Sequence, residues 1–152
     1  MIEARLAELG IILPEPAAPV ASYVPAVEAG GMLYTSGQLP FVDGKLMTGK
    51  VGDSRSLEEG QLAARSCAIM LIAQIKKALG SLDRVERIVK LGVFVASTAD
   101  FTDQPKVANG ASDLMEAVFA DKGKHARSAV AVPVLPLDAT VEIDCVVQVR
   151  AA

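Results

Sequence analysis

The sequence predicts an α+β fold of order β-β-α-β-α-β-β, in which one mixed sheet carries two helices on a single face and buries its other face by self-association. Three observations point there. Two stretches, 56–80 and roughly 105–120, repeat their apolar residues at helical spacing. Several shorter runs, among them RIVKLGVFVA, ARSAVAV and TVEIDCVVQV, are rich in β-branched residues and end at turn signals. Two of these strands, LGVFVA and CVVQV, are apolar at both alternating positions. A sheet with helices on only one side would therefore expose a larger apolar patch than monomers tolerate.

Each element has a local cause. Ile2 to Leu9 makes a short amphipathic helix with Ile2, Leu6 and Leu9 on one side, and Gly10 stops it. The connector that follows holds Pro14, Pro16, Pro19 and Pro25, which keep it extended until an edge strand near Tyr23 and Val24. Gly30-Gly31 turns that strand into the β-rich run Met32 to Pro40, giving a hairpin. Phe41 to Arg55 is polar and glycine-spaced, a loop with a turn at Asp43-Gly44 and room for a short strand at Lys45 to Met47. Ser56 and Glu59 have the spacing of a capping box, so a long helix starts there and ends at Gly80. Its apolar face includes Leu62, Cys67, Ile69, Met70, Ala73 and Leu79, with Gln61, Arg65, Gln74, Lys76 and Lys77 toward solvent. After Ser81-Leu82-Asp83 come a strand at Arg87 to Ala96, a helix from Pro105 or Lys106 to Phe119 or Ala120, and strands at Ala126 to Val132 and Thr140 to Val149.

Composition narrows the function. With 51% hydrophobic and 22% charged residues, the 152-residue chain has the balance of one globular domain. A net charge of −3 supplies no field that attracts nucleic acid or an anionic membrane, so neither is expected as a partner. No apolar run approaches the ~20 residues of a spanning helix. Glu3, Arg5 and Glu8 stand where a signal peptide would be apolar, and a cytosolic location is the expectation. Cys67 and Cys145 lack partners at metal spacing and read as small core residues.

The G-x-S-x-G nucleophile motif and the phosphate-loop, dinucleotide and zinc-protease signatures are missing. His125, the single histidine, lies in a charged loop and reads as a solvated or lightly packed residue, so a serine triad is not expected. No metal site assembles from the available ligands. There remain polar residues inside apolar strands: Arg127, and Glu142 with Asp144 two positions on and hence on the same face. Arg127 and Glu142 read either as an ion pair across adjacent strands, as a solvated sheet end, or as a ligand site.

The blocks YVPAV (23–27), LYTSGQLP (33–40), VFV (93–95), ARSAV (126–130), LP (135–136) and VEI (141–143) together resemble the RidA (YjgF, L-PSP endoribonuclease-like) family, in its order and from about Pro19 to Val149. The resemblance implies a chorismate-mutase-like fold, a homotrimer with ligand clefts between subunits, and imine or enamine deaminase activity. It implies that Arg127 holds a substrate carboxylate and that Glu142 positions the attacking water. Tyr23, Ser36 and Gly37 would line the cleft from the neighbouring chain, and backbone groups near Ala129 would orient the water or the imine nitrogen. No metal or organic cofactor is implied, and the expected partner is a small carboxylate-bearing metabolite.

The chain also departs from the family pattern. Ala129 stands where many members have cysteine, and His125 where proline is common, at the cleft rim. The domain divides into an N-terminal helix and proline-rich extension, 1–18, and a core, 19–150, with the extension and the stretch Gln104 to Ser112 outside the resemblance. Either Asn109 or Ser112 matches the family's second-helix cleft residue. The implied reaction converts 2-imino or enamine acids to 2-keto acids and ammonia. A non-catalytic trimer binding a small carboxylate is the alternative, and a ribonuclease fits poorly with a −3 chain short of stacking aromatics.

Overall fold

The structure is a computed structural model that describes residues 1–16 and 22–152. Pro19 and the expected 18/19 boundary lie outside the described residues. Short turns set the register of the first strands. Gly30 and Gly31, with φ of +61° and +78°, form a two-residue loop whose twist suits a hairpin, joining β1 (Ala26–Ala29) to β2 (Met32–Thr35). The first strand thus begins after Pro25 rather than at Tyr23 and Val24, because the tight loop pairs Ala26 with Thr35 and leaves the preceding residues beyond the ladder. Asp43-Gly44 makes a second such loop between β3 (Phe41–Val42) and β4 (Lys45–Leu46), so the expected loop carries a small hairpin.

Both ends of the long helix follow the sequence signals. In α2 (Leu57–Leu79) the Ser56 hydroxyl accepts from the Glu59 amide at 3.1 Å, and the Glu59 carboxylate accepts from the Ser56 amide at 3.0 Å. Gly80 ends it at φ +80°. Ala63, Ala64, Cys67, Ala68, Leu71, Ile72 and Ile75 are buried on its inner face. Two expectations fail on this helix. Leu62 is 56% exposed, one step off the buried stripe. Gln74 is buried rather than solvated, and its amide donates to Oε1 of Gln38, in the chain leaving β2, at 3.3 Å.

Helix α3 (Gln104–Phe119) packs beside α2 at Gly110, where a Cβ would collide with the Gln61 carbonyl. That close approach explains a glycine inside a helix, where it otherwise costs about 1 kcal/mol against alanine. The N-terminal α1 (Ile2–Glu8) is fixed to this layer by Arg5 Nε, which donates to Ala117 O at 2.8 Å. Leu6 and Ile11 join the main core, so the extension's described part is continuous with it. Burying a leucine such as Leu6 stabilises by about 1.5–3 kcal/mol relative to leaving it in water.

The main sheet runs β1-β2-β7-β5-β6, where β5 is Val85–Ala96, β6 is Ala126–Val132 and β7 is Val141–Val149. Only β5 and β6 pair parallel, since α3 carries the chain over between them. Leu33, Leu91, Val93, Val95, Ile143, Cys145 and Val147 face the helices and form the core. On the other face, Ala96, Leu135 and Ala139 make a smaller cluster with Leu39, Leu46, Phe94 and Val132. Beyond it that face stays open, with Val27, Tyr34 and Val130 each about half exposed. Among the described residues no helix is long and apolar enough to cross a membrane.

Candidate functional site

Strand register decides where each polar side chain goes. Arg127 on the edge strand β6 is the partner of Leu91, so it points to the helix side of the sheet. There its Nη1 donates to Asn109 Oδ1 at 2.9 Å and to Ser112 Oγ at 3.1 Å, both on α3. Nε and Nη2 have no hydrogen-bond partner among the described residues, leaving a side-on pair of donors that matches a carboxylate. Ala129 follows on the same face, opposite Val93. The two helix residues between which the sequence left a choice both hold the arginine.

Glu142 lies on β7 opposite Phe94, and therefore on the open face. Strand β5 separates β6 from β7, so Arg127 and Glu142 are neither on adjacent strands nor on one face, and of the readings left open for the two residues the ion pair does not form. Glu142 instead stands against Gly37, where an added Cβ would lie 2.6 Å from Oε2. Asp144 shares its face, beside Gly92. Burial raises the Glu142 carboxyl above its ordinary range, and the like charge of Asp144 adds to that. Burial likewise raises Asp144, against the lowering effects of the Gly92 amide and Lys90.

Tyr23, Ser36 and Gly37 do come together. Ser36 Oγ donates to Val24 O at 2.7 Å and its amide to Pro25 O at 2.8 Å, which ties the chain after β2 to the segment bearing Tyr23. The three residues line a groove of about 710 Å³ with Phe41, Arg65 and Met70, and Ile12, Pro14 and Glu15 of the extension contribute to its wall. Neither Arg127 nor Glu142 lines that groove. One chain thus carries two separate groupings: Arg127 with Asn109, Ser112 and Ala129 on one face, and Gly37 with Glu142 on the other, Tyr23 and Ser36 alongside.

His125 departs from its expectation as a loosely packed loop residue. Nδ1 lies 2.6 Å from Gly123 O and Nε2 lies 2.8 Å from Ser112 Oγ. Nothing in the local sequence signals this, because Ser112 is on a different element. Both cysteines are free and buried, and burial pushes the Cys145 thiol up to about 12. As core residues they match the reading from their spacing.

Comparison with known proteins agrees with this architecture. A family model described as "YjgF/chorismate_mutase-like, putative endoribonuclease" matches residues 3–150. Protein TCP17 of Trypanosoma cruzi is 52% identical, covering 98% of this chain and 94% of its own. A 2-iminobutanoate/2-iminopropanoate deaminase of Salmonella typhimurium is 35% identical, over 85% of this chain and 88% of its own. The crystal structure of "a putative endoribonuclease" from Shewanella oneidensis superposes with a TM-score of 0.95 at 35% identity, covering 98% of this chain and 99% of that one. The mixed sheet with its helices on one face is the chorismate-mutase-like fold, and with the match spanning nearly the whole sequence the chain belongs to the YjgF/RidA family.

Proposed function

We propose that this protein hydrolyses reactive 2-imino or enamine acids to 2-keto acids and ammonia, at clefts formed between the subunits of a cytosolic homotrimer. The observation that carries the reading is the division of the polar residues. Arg127 and Glu142 occupy opposite faces of one sheet, so they meet only when the Arg127 face of one chain meets the Glu142 face of another. The exposed Val27, Tyr34 and Val130 supply apolar area for such contact.

The free Nε and Nη2 of Arg127 would grip the substrate carboxylate as a fork. Glu142, its carboxyl raised by burial, would take a proton from water as the oxygen adds to the C=N carbon. Glu142 returns that proton to the nitrogen to complete the carbinolamine, and transfer of the carbinolamine's hydroxyl proton to the amine then breaks the C–N bond, releasing ammonia and leaving the 2-keto acid. Tyr23, Ser36 and Gly37 would wall the cleft, with backbone near Ala129 orienting the water. Because an imine of a 2-keto acid is already electrophilic, orientation supplies much of the rate and the chemistry calls for no metal or organic cofactor. The deaminase relative supports the reaction class.

The test is ammonia release from freshly generated 2-iminopropanoate. Wild-type protein should accelerate it and Arg127→Ala should not. Equal rates for the two would end the assignment. Keto-acid binding without acceleration of any imine would favour the non-catalytic carboxylate-binding trimer.

A further inference from the structure

His125 and Ser112 form a hydrogen-bonded relay behind Arg127, and we infer that His125 is a positioning residue that fixes the guanidinium for carboxylate binding. The inference rests on the proposed role of Arg127. Its own support is a chain of partners that leaves little freedom. Gly123 O can only accept, so the ring nitrogen 2.6 Å from it, Nδ1, must carry the proton. In the neutral ring Nε2 is then an acceptor, and Ser112 Oγ–H, 2.8 Å away, donates to it. With its proton committed there, the Ser112 oxygen presents a lone pair to Arg127 Nη1 at 3.1 Å.

Each donor in the chain from Arg127 Nη1 through Ser112 Oγ to His125 Nδ1 thereby has an acceptor, and the direction is set at the Gly123 end. Gly123 is itself held in place, since a Cβ there would collide with Met115 O of α3. The relay thus roots the arginine in the body of the α3 helix rather than leaving it to solvent. Ser112 and His125 are also spaced as a nucleophile–base pair, but the serine oxygen is engaged by the cation and the ring is oriented by a backbone carbonyl rather than a carboxylate. The arrangement is one of support.

Two measurements test this. The first is pyruvate affinity by calorimetry, with steady-state ammonia release from 2-iminopropanoate, for wild type, His125→Ala, His125→Gln, Ser112→Ala and Arg127→Ala. Losing one bond to a charged group should weaken pyruvate binding about tenfold in His125→Ala and in Ser112→Ala, with the kinetic loss falling on KM more than on kcat. A variant combining His125→Ala with Ser112→Ala should be no worse than either single one, since the relay acts as a unit. Glutamine offers both a donor and an acceptor and should restore part of the loss. Wild-type affinity in His125→Ala, with binding abolished in Arg127→Ala, would overturn the relay while leaving the anchor standing. Wild-type affinity in Arg127→Ala would instead overturn the anchor itself. The second measurement uses the single histidine: ¹⁵N spectra of the wild-type ring should show the Nδ1–H tautomer and an Nε2 resonance that moves when pyruvate binds. An Nε2–H tautomer, or a resonance indifferent to pyruvate, would contradict the relay even if the alanine variant fails to fold.

Discussion

Gly37→Ala isolates the placement of Glu142 from its presence. The new methyl group would meet Oε2 at 2.6 Å, Cδ at 2.8 Å and Cγ at 2.9 Å, against 3.4–4 Å for ordinary contact. The carboxylate must therefore retreat by roughly 0.8 Å or swing to another rotamer. Gly37 has no positive φ, so alanine is compatible with the backbone, and the group that must move is the end of a flexible side chain. The folded state should accordingly change by no more than about 1 kcal/mol, part of it offset by the lower entropy of the unfolded chain. Activity should respond far more strongly. Displacing a positioned base by about 1 Å costs up to about 100-fold, equivalent to about 2.7 kcal/mol of transition-state stabilisation. Steady-state ammonia release beside a thermal melt gives both quantities. A Gly37→Ala protein with full activity would refute the idea that the close Gly37–Glu142 contact sets the base, and one that no longer folds would refute the claim that the side chain can yield.

Glu142→Gln should abolish turnover and raise the thermal midpoint at pH 7. A carboxyl whose folded-state value is raised stabilises the fold only below its unfolded value, and that contribution is lost as pH rises through the folded one. The ionised Glu142, half-buried beside Asp144, is then a cost at neutral pH that glutamine removes. The advantage should shrink as pH falls into the carboxylate range, and melts of the two proteins across pH check it. Gly110→Ala should act on folding alone: its methyl group meets the Gln61 backbone, which cannot swing aside, so a loss of about 1–3 kcal/mol is expected. For a chain of this size that is about 2–4 °C in midpoint per kcal/mol, read by calorimetry.

Much of the fold is legible because its causes are local. Ser56 with Glu59, and Gly80, mark the long helix to the residue, since capping depends on atoms within one turn. The Gly30-Gly31 loop is equally local, yet its consequence, that pairing starts at Ala26, depends on loop length and moves the strand away from Tyr23. The burial of Gln74 is a tertiary fact: its amide meets Gln38, 36 residues away in sequence.

The site is less legible than the fold for a topological reason. Strands β6 and β7 follow one another in sequence, and adjacency is the natural expectation for Arg127 and Glu142. Strand β5 intervenes, and the parity of its pairing with each neighbour puts the two residues on opposite faces. His125 was invisible for a related reason, since a polar loop carries no sign of the helix serine that it meets.

Subunit complementation tests the central claim, that each cleft takes Arg127 from one chain and Glu142 from another. Arg127→Ala and Glu142→Gln proteins should each be inactive alone. Unfolded together in equal amounts and refolded, random cyclic trimers should place both intact residues in about one quarter of the clefts, restoring about one quarter of wild-type ammonia release. A mixture that forms mixed trimers and stays inactive would contradict the account, because it would mean that both residues must come from the same chain.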